Sequence, residues 1–168
     1  MTVPVFIFVG HSNSGKTTFV EKLIPELTRR GKKVAAIKHA HHKVQLDTEG
    51  KDSWRYKKAG AALSMLVTTG ALQLVADAGE EADGRDPTQL AARFLGEADL
   101  VLAEGFSLSP GAKIEVLRRE NGKPPRCEIK DGLIAIVTDC PEVYPELPHF
   151  GLDDHAALAE FLLRQPHD

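Results

Sequence analysis

Residues 10–18, Gly-His-Ser-Asn-Ser-Gly-Lys-Thr-Thr, place two glycines, a lysine and hydroxyls at the spacing G-x-x-x-x-G-K-[ST]. Those residue types at that spacing suit the holding of phosphate groups. Gly10 and Gly15 permit backbone angles that a Cβ forbids, so the amides of His11, Ser12, Asn13 and Ser14 can turn toward one anion. Lys16 supplies a point charge for the outer phosphates, the Thr17 hydroxyl is placed to ligate Mg²⁺, and Thr18 follows in the first helical turn. A helix beginning here adds free N–H groups and roughly half a positive charge.

A second stretch with chemical content is Asp99-Leu100-Val101-Leu102-Ala103-Glu104-Gly105, an apolar run with an acid near each end. Five residues of strand separate the acids by roughly 16 Å, so only one can stand at the phosphate edge. Glu104 is the candidate, as the metal-linked acid ending a strand beside the loop. Asp99 should then lie at the opposite rim, and Gly105 would let the chain pass close to the terminal phosphate. A third stretch carries His39, His41 and His42, then Asp47, Lys51, Asp52, Ser53 and Arg55. The histidines suit metal or phosphate binding, or simply a polar loop. No cysteine joins them at zinc-site spacing.

The elements that must position these groups follow from periodicity. Val3 to Val9 is a nearly continuous apolar run, as a central parallel strand requires, with Pro4 tolerated at its start. Phe19, Val20, Leu23, Ile24 and Leu27 then give one buried helical face, which runs to about Arg30 and stops at Gly31. Strand, glycine loop and helix are the context in which the phosphate motif acquires meaning. Val34–Lys38 is the second strand, joined by a right-handed crossover, and the histidine loop leaves its carboxyl end, where open α/β sheets bind ligands. Asp52 or Ser53 is expected to cap a helix reaching Ala62. Ser64–Val67 and Ala71–Val75 read as a hairpin across Thr68-Thr69-Gly70, and hence as an antiparallel pair within the otherwise parallel sheet. The acidic segment 77–86 reads as an exposed loop. A helix opens at Pro87 with Asp86 as its cap, Leu90, Ala91, Phe94 and Leu95 inward, and Gly96 at its end.

Ala112 to Arg119 alternates polar and apolar, which predicts a strand with one wet face near the sheet edge. Leu133–Thr138 is a buried strand, with Asp139 at its ligand-facing end. Asp139 can accept the ring N–H and amino group of guanine, and a turn cap before Pro141 accounts for it equally well. Asp153 or Asp154 caps a last helix with Ala157, Leu158, Phe161 and Leu162 inward.

Composition bounds the rest. A chain of 168 residues with 42% apolar and 27% charged residues suits one globular domain, here 1–168. A formal charge of −3 argues against nucleic acid as a partner. Cys127 and Cys140 make neither a zinc pattern nor a disulfide framework. No signal-peptide pattern and no apolar run near ~18 residues is present, so a cytoplasmic protein away from membranes is the expectation.

Several stretches together resemble the MobB family, the molybdopterin-guanine dinucleotide biosynthesis adapter proteins. They are Val9 to Thr18; Lys38-His39-Ala40-His41-His42; Asp47 with Gly50-Lys51-Asp52-Ser53 and Arg55; Ala59-Gly60-Ala61; and Asp99 to Phe106 with Lys113-Ile114-Glu115. The histidine loop joined to Gly-Lys-Asp-Ser is far more specific than the phosphate loop. The resemblance covers most of the chain to about residue 120. It implies an α/β fold of the P-loop NTPase kind, a three-layer sandwich with a mostly parallel sheet and an antiparallel hairpin. It implies GTP and Mg²⁺ as ligands, weak GTP hydrolysis and a homodimer. The implied partners are a MobA-type guanylyltransferase and molybdopterin or its guanine dinucleotide. On this reading residues 10–18 hold phosphates, Thr17 and Glu104 hold the metal, and Asp47 is a further metal or water-orienting acid. His39, His41, His42, Lys51, Asp52, Ser53 and Arg55 form a facing wall for substrate or partner. No glutamine or arginine finger is evident, which predicts slow turnover unless Arg55 or a partner residue serves. The same loop would also serve a small-molecule kinase or a metallochaperone GTPase with the three histidines as ligands.

Overall fold

The computed structural model describes residues 3–40, 44–76 and 86–166. The chain divides into two compact units, Met1–His39 with Gly84–Asp168, and Ala40–Asp83.

The first unit is built on six strands: β1 (Val5–Val9), β2 (Val34–Lys38), β5 (Leu100–Glu104), β6 (Ala112–Leu117), β7 (Leu133–Thr138) and β8 (His149–Phe150). They lie in the order β2-β5-β1-β6-β7-β8, and every adjacent pair is parallel. β1 is therefore central, as its unbroken apolar run requires. One face of the sheet presents Phe6, Phe8, Leu102, Ile114 and Val137 to α1 (Lys16–Arg29) and α4 (His155–Leu163), through Phe19, Leu23, Leu27, Leu158 and Leu162. The other presents Ile7, Val9 and Ala103, with Phe106 and Cys127, to Leu90 of α3 (Pro87–Phe94). Helices thus cover both faces, the three-layer arrangement expected. Cys127 and Cys140 are buried and free.

Local signals set the helix ends. Gly15, at φ 90°, stands at the start of α1. Past its end the amides of Gly31 and Lys32 return to the carbonyls of Thr28 and Leu27, with Gly31 at φ +77°, so the predicted glycine stop is realised. The Asp86 carboxylate accepts the Thr88 N–H at 2.9 Å and caps α3.

β6 departs from expectation. It lies between β1 and β7, not near an edge, and its supposed wet face is buried: Lys113 is 3% exposed and Glu115 0%. The Lys113 ammonium donates to the Asp131 carbonyl at 2.6 Å, and Glu115 accepts the backbone N–H groups of Arg126 and Cys127. Backbone groups replace the water that the alternation seemed to demand. Two smaller differences concern helix faces. α3 leaves Phe94 exposed, and Ala157 of α4 faces solvent while Ala159 is buried.

The second unit holds α2 (Asp52–Lys58) and the hairpin of β3 (Leu63–Val67) and β4 (Leu72–Ala76). The hairpin forms its own two-stranded sheet and does not join the large one. α2 ends at Lys58 rather than Ala62, and Lys51 stands at its cap position instead of Asp52 or Ser53. The expected loop at 77–86 lies outside the described residues except for Asp86.

Candidate functional site

Parallel pairing brings several strand ends to one edge. Glu104 lies in register with Phe8 of β1 and Lys38 of β2, and Leu117 of β6 with Thr138 of β7. The phosphate-loop motif leaves β1 at this same edge. Asp99 is at the opposite rim as predicted, its carboxylate accepting the Lys33 backbone N–H at 2.7 Å.

The loop is a cradle of donors. Gly10 (φ 140°), Asn13 (φ 65°) and Gly15 (φ 90°) turn the chain in conformations that side chains resist. The Lys16 ammonium folds back onto the carbonyls of Gly10 at 3.0 Å and His11 at 2.8 Å. The Ser12 carbonyl accepts from Asn121 and the Ser14 carbonyl from Arg118. With the carbonyls engaged, the N–H groups of Asn13, Gly15, Lys16, Thr17 and Thr18 have no hydrogen-bond partner among the described residues. The Ser14 hydroxyl is buried and also unpartnered. Such an array suits a multiply charged oxyanion. Burial holds the Lys16 pKa below its usual value, against the opposing pull of Glu104.

Gly10 allows a close approach, since a Cβ there would lie 2.5 Å from the Val116 carbonyl oxygen. Gly105 is also required by its neighbours. Its φ is +108°, and a Cβ would meet His39 at 3.2 Å. His39 itself is fixed by its N–H on the Glu104 carbonyl at 2.9 Å, and its ring lies 5.3 Å from that of Phe106.

Thr17 and Glu104 do meet. The threonine hydroxyl lies 2.9 Å from each carboxylate oxygen. A hydroxyl and a carboxylate are hard oxygen donors, a set that fits Mg²⁺ beside phosphate. Lys38 joins them, its ammonium 3.0 Å from Glu104 Oε1 and 3.2 Å from Thr17 Oγ1. The sequence places Lys38 in a stretch resembling the family, but assigns neither Lys38 nor Arg118 a role at the phosphate loop. Both stand immediately at or after strand ends on the ligand edge, and asking which cations the strands deliver there would have found them.

The remaining candidates distribute as follows. Asp139 follows β7 directly, but its Oδ1 accepts the Arg119 N–H at 2.8 Å, which draws its pKa down. It thereby fastens the end of β6 to that of β7. Asp47, Lys51, Asp52, Ser53 and Arg55 belong to the second unit. There Asp47 Oδ1 accepts the Thr48 N–H at 2.7 Å while its Oδ2 is buried without a partner, and Asp52 and Arg55 lie 3.7 Å apart on α2. His41 and His42 lie outside the described residues. Among the described residues no group of three His, Cys, Asp or Glu side chains is placed to hold a metal, and no helix is long and apolar enough to cross a membrane.

The chain is similar to several known proteins. Residues 5–139 match the family model described as molybdopterin guanine dinucleotide synthesis protein B, MobB. The molybdopterin-guanine dinucleotide biosynthesis adapter protein of Haemophilus influenzae is 41% identical over 139 residues, 83% of this chain and 76% of that one. Its counterpart in Escherichia coli K12 is 34% identical over 163 residues, covering 96% and 92%. The crystal structure of Bacillus subtilis MobB superposes with a TM-score of 0.72 at 31% identity, covering 98% of this chain and 99% of that one.

Proposed function

Because the chain belongs to the MobB family, we propose that it is an adapter of molybdopterin-guanine dinucleotide biosynthesis that binds GTP with Mg²⁺ at the phosphate loop and assists a MobA-type guanylyltransferase. The observation that carries the nucleotide reading is the loop itself: five unpartnered amides and the Lys16 ammonium beside an oxygen pair from Thr17 and Glu104. Its amides and Lys16 meet the β- and γ-phosphate charge, as their geometry and burial favour. Thr17 and Glu104 would hold Mg²⁺, which supplies further charge neutralisation. Asp47 is the acid proposed to orient water, and Arg55 the cation proposed to stabilise developing charge. The partner wall of His39, His41, His42, Lys51, Asp52, Ser53 and Arg55 remains part of this reading, with molybdopterin or its guanine dinucleotide as the ligand delivered.

Calorimetric titration with GTP and with ATP, each with Mg²⁺, tests it. Clear GTP preference supports the adapter reading and leads to assays of guanylyltransferase stimulation. Equal or ATP-favoured binding overturns it in favour of a kinase.

The homodimer belongs to the same proposal. β6, expected near the sheet edge, is interior and leaves no free edge for pairing. Support comes instead from the β3–β4 hairpin, where Met65, Leu66, Val67 and Leu72 are each about half exposed or more. A lone two-stranded sheet with exposed apolar residues is marginal unless something covers it. Light scattering should give a dimer mass, and Met65→Lys with Val67→Lys should give the monomer. A parent that is monomeric at micromolar concentration refutes the pairing.

A further inference from the structure

Beside the phosphate loop, within the first unit, lies a cavity of about 920 Å³. Its walls come from the residues after β5 (107–111) and from the connection between β6 and β7 (124–132), with His11 of the loop at its margin. That volume is ample for a small organic ligand.

Its charge is what sets it apart. Lys113, Arg126 and Lys130 line it, against one acid, Asp131. The Asp131 carboxylate is committed to capping, since it accepts the Glu128 N–H at 3.0 Å. Lys130 is paired with Glu128 at 2.9 Å. Lys113 is 3% exposed on a strand that is otherwise core, and it uses one of its three donors, on the Asp131 carbonyl. Burying an ammonium with two donors unused is costly, and an apolar residue would pack there at less expense. The Arg126 guanidinium has no hydrogen-bond or ion-pair partner among the described residues. Its backbone is nonetheless fixed, because the fully buried Glu115 accepts the N–H groups of both Arg126 and Cys127. Apolar surface completes the walls through Leu108, Pro110, Pro124 and Pro125.

A buried lysine with spare donors, an arginine held by its backbone and an apolar lining are the parts of a site for an anion with an organic body. We propose that this cavity binds a phosphorylated small molecule, its phosphoryl group on Lys113 and Arg126 and its body against the proline-rich wall. The site is separate from the phosphate loop but shares His11 with its margin, so both could be filled together. Only the choice of a nucleotide as the organic probe rests on the adapter reading. The cavity chemistry stands without it.

The test uses Lys16→Ala protein, in which binding at the phosphate loop is weakened, titrated calorimetrically with inorganic pyrophosphate and with GMP. One-site binding should persist, with GMP the tighter of the two. Adding Arg126→Gln, at an exposed position, should weaken it about 10- to 150-fold, as loss of a charged hydrogen bond does. Lys113→Met should do the same, with thermal unfolding run alongside to show that the fold survives. Absence of binding to Lys16→Ala protein, or unchanged affinity in the Arg126→Gln variant, overturns the proposal. GMP no tighter than pyrophosphate overturns the assignment of the proline wall. Parent protein that fails to bind GTP while the cavity still binds pyrophosphate would sink the nucleotide reading and leave this one standing.

Discussion

Lys38 stands where a cation is wanted. Its ammonium lies 3.0 Å from Glu104 and 3.2 Å from Thr17, the two groups assigned to Mg²⁺. The metal must therefore compete with it or displace it. Replacing Lys38 by Met removes the competitor while keeping most of the stem. Full Coulomb attraction at 3.0 Å is roughly 1.4 kcal/mol in water and several times that in a drier medium. Lys38 is 59% exposed, which discounts it, whereas Glu104 is 13% exposed. The upper end of the range measured for solvent-facing pairs, about 1 kcal/mol, is the appropriate figure. It corresponds to about a fivefold change in affinity. Lys38→Met should lower the midpoint of the Mg²⁺ dependence of GTP binding by up to about fivefold, while Lys38→Arg leaves it near the parent value. In EDTA without nucleotide, urea unfolding should show Lys38→Met less stable by up to about 1 kcal/mol. The opposite signs are the signature. A variant that needs more Mg²⁺ than the parent refutes the reasoning, because Lys38 would then be assisting the phosphates instead of holding the metal's place.

Lys16→Ala should weaken GTP binding about 10- to 150-fold by calorimetry, since a charged hydrogen bond of roughly 1.5–3 kcal/mol is lost; binding as tight as the parent's would remove the basis of the loop assignment. Gly10→Ala should cost on the order of 3 kcal/mol or more in urea unfolding, because its Cβ meets the Val116 carbonyl at φ +140°, whereas Gly31→Ala, at φ +77° with open space around it, should cost only about 1 kcal/mol. Glu115 has its pKa raised by burial, against the backbone N–H groups of Arg126 and Cys127 that lower it. The native state therefore holds its proton to higher pH than the unfolded chain does, so this carboxyl's contribution is full below the unfolded value and is lost as pH rises through the folded one. The stability advantage of the parent over Glu115→Gln should accordingly shrink as pH rises through that window, and an advantage that grows would contradict the assignment.

The sequence made the site's centre legible because its chemistry is local. The glycines, Lys16 and Thr17 are contiguous, and the apolar runs on either side announce strand and helix. Glu104 could be placed because strand geometry allows only one of two acids at the edge. β6 was not legible, for a physical reason. Alternation records which residues are polar and not what satisfies them, and the groups satisfying Lys113 and Glu115 belong to residues 11–18 positions further along the chain. Pro25 shows the converse. It sits inside α1 without ending it, on an exposed position where the carbonyl it leaves unbonded can face water. The two-residue β8 has too few side chains to announce itself, and the independence of the β3–β4 hairpin depends on pairing that no turn signal specifies. Lys38 and Arg118 were given no role at the loop because those roles arise only once separate strand ends share an edge.

The strand order also sets a timetable for synthesis. β1 is flanked by β5 and β6, and its Val5 pairs with Val101, 96 residues later in the chain. At a ribosomal rate of about 5–20 residues per second, β1 waits roughly 5–20 seconds for that neighbour to be made. During the interval Val5–Val9 is a short, uncharged, strand-forming segment with both edges open, the composition most prone to stick to other chains. α1 can cover one of its faces but neither of its edges. Nascent chains should therefore be held by chaperones until β5 and β6 emerge, and mutations that slow docking of β5 should reduce soluble yield before they reduce the stability of the finished protein.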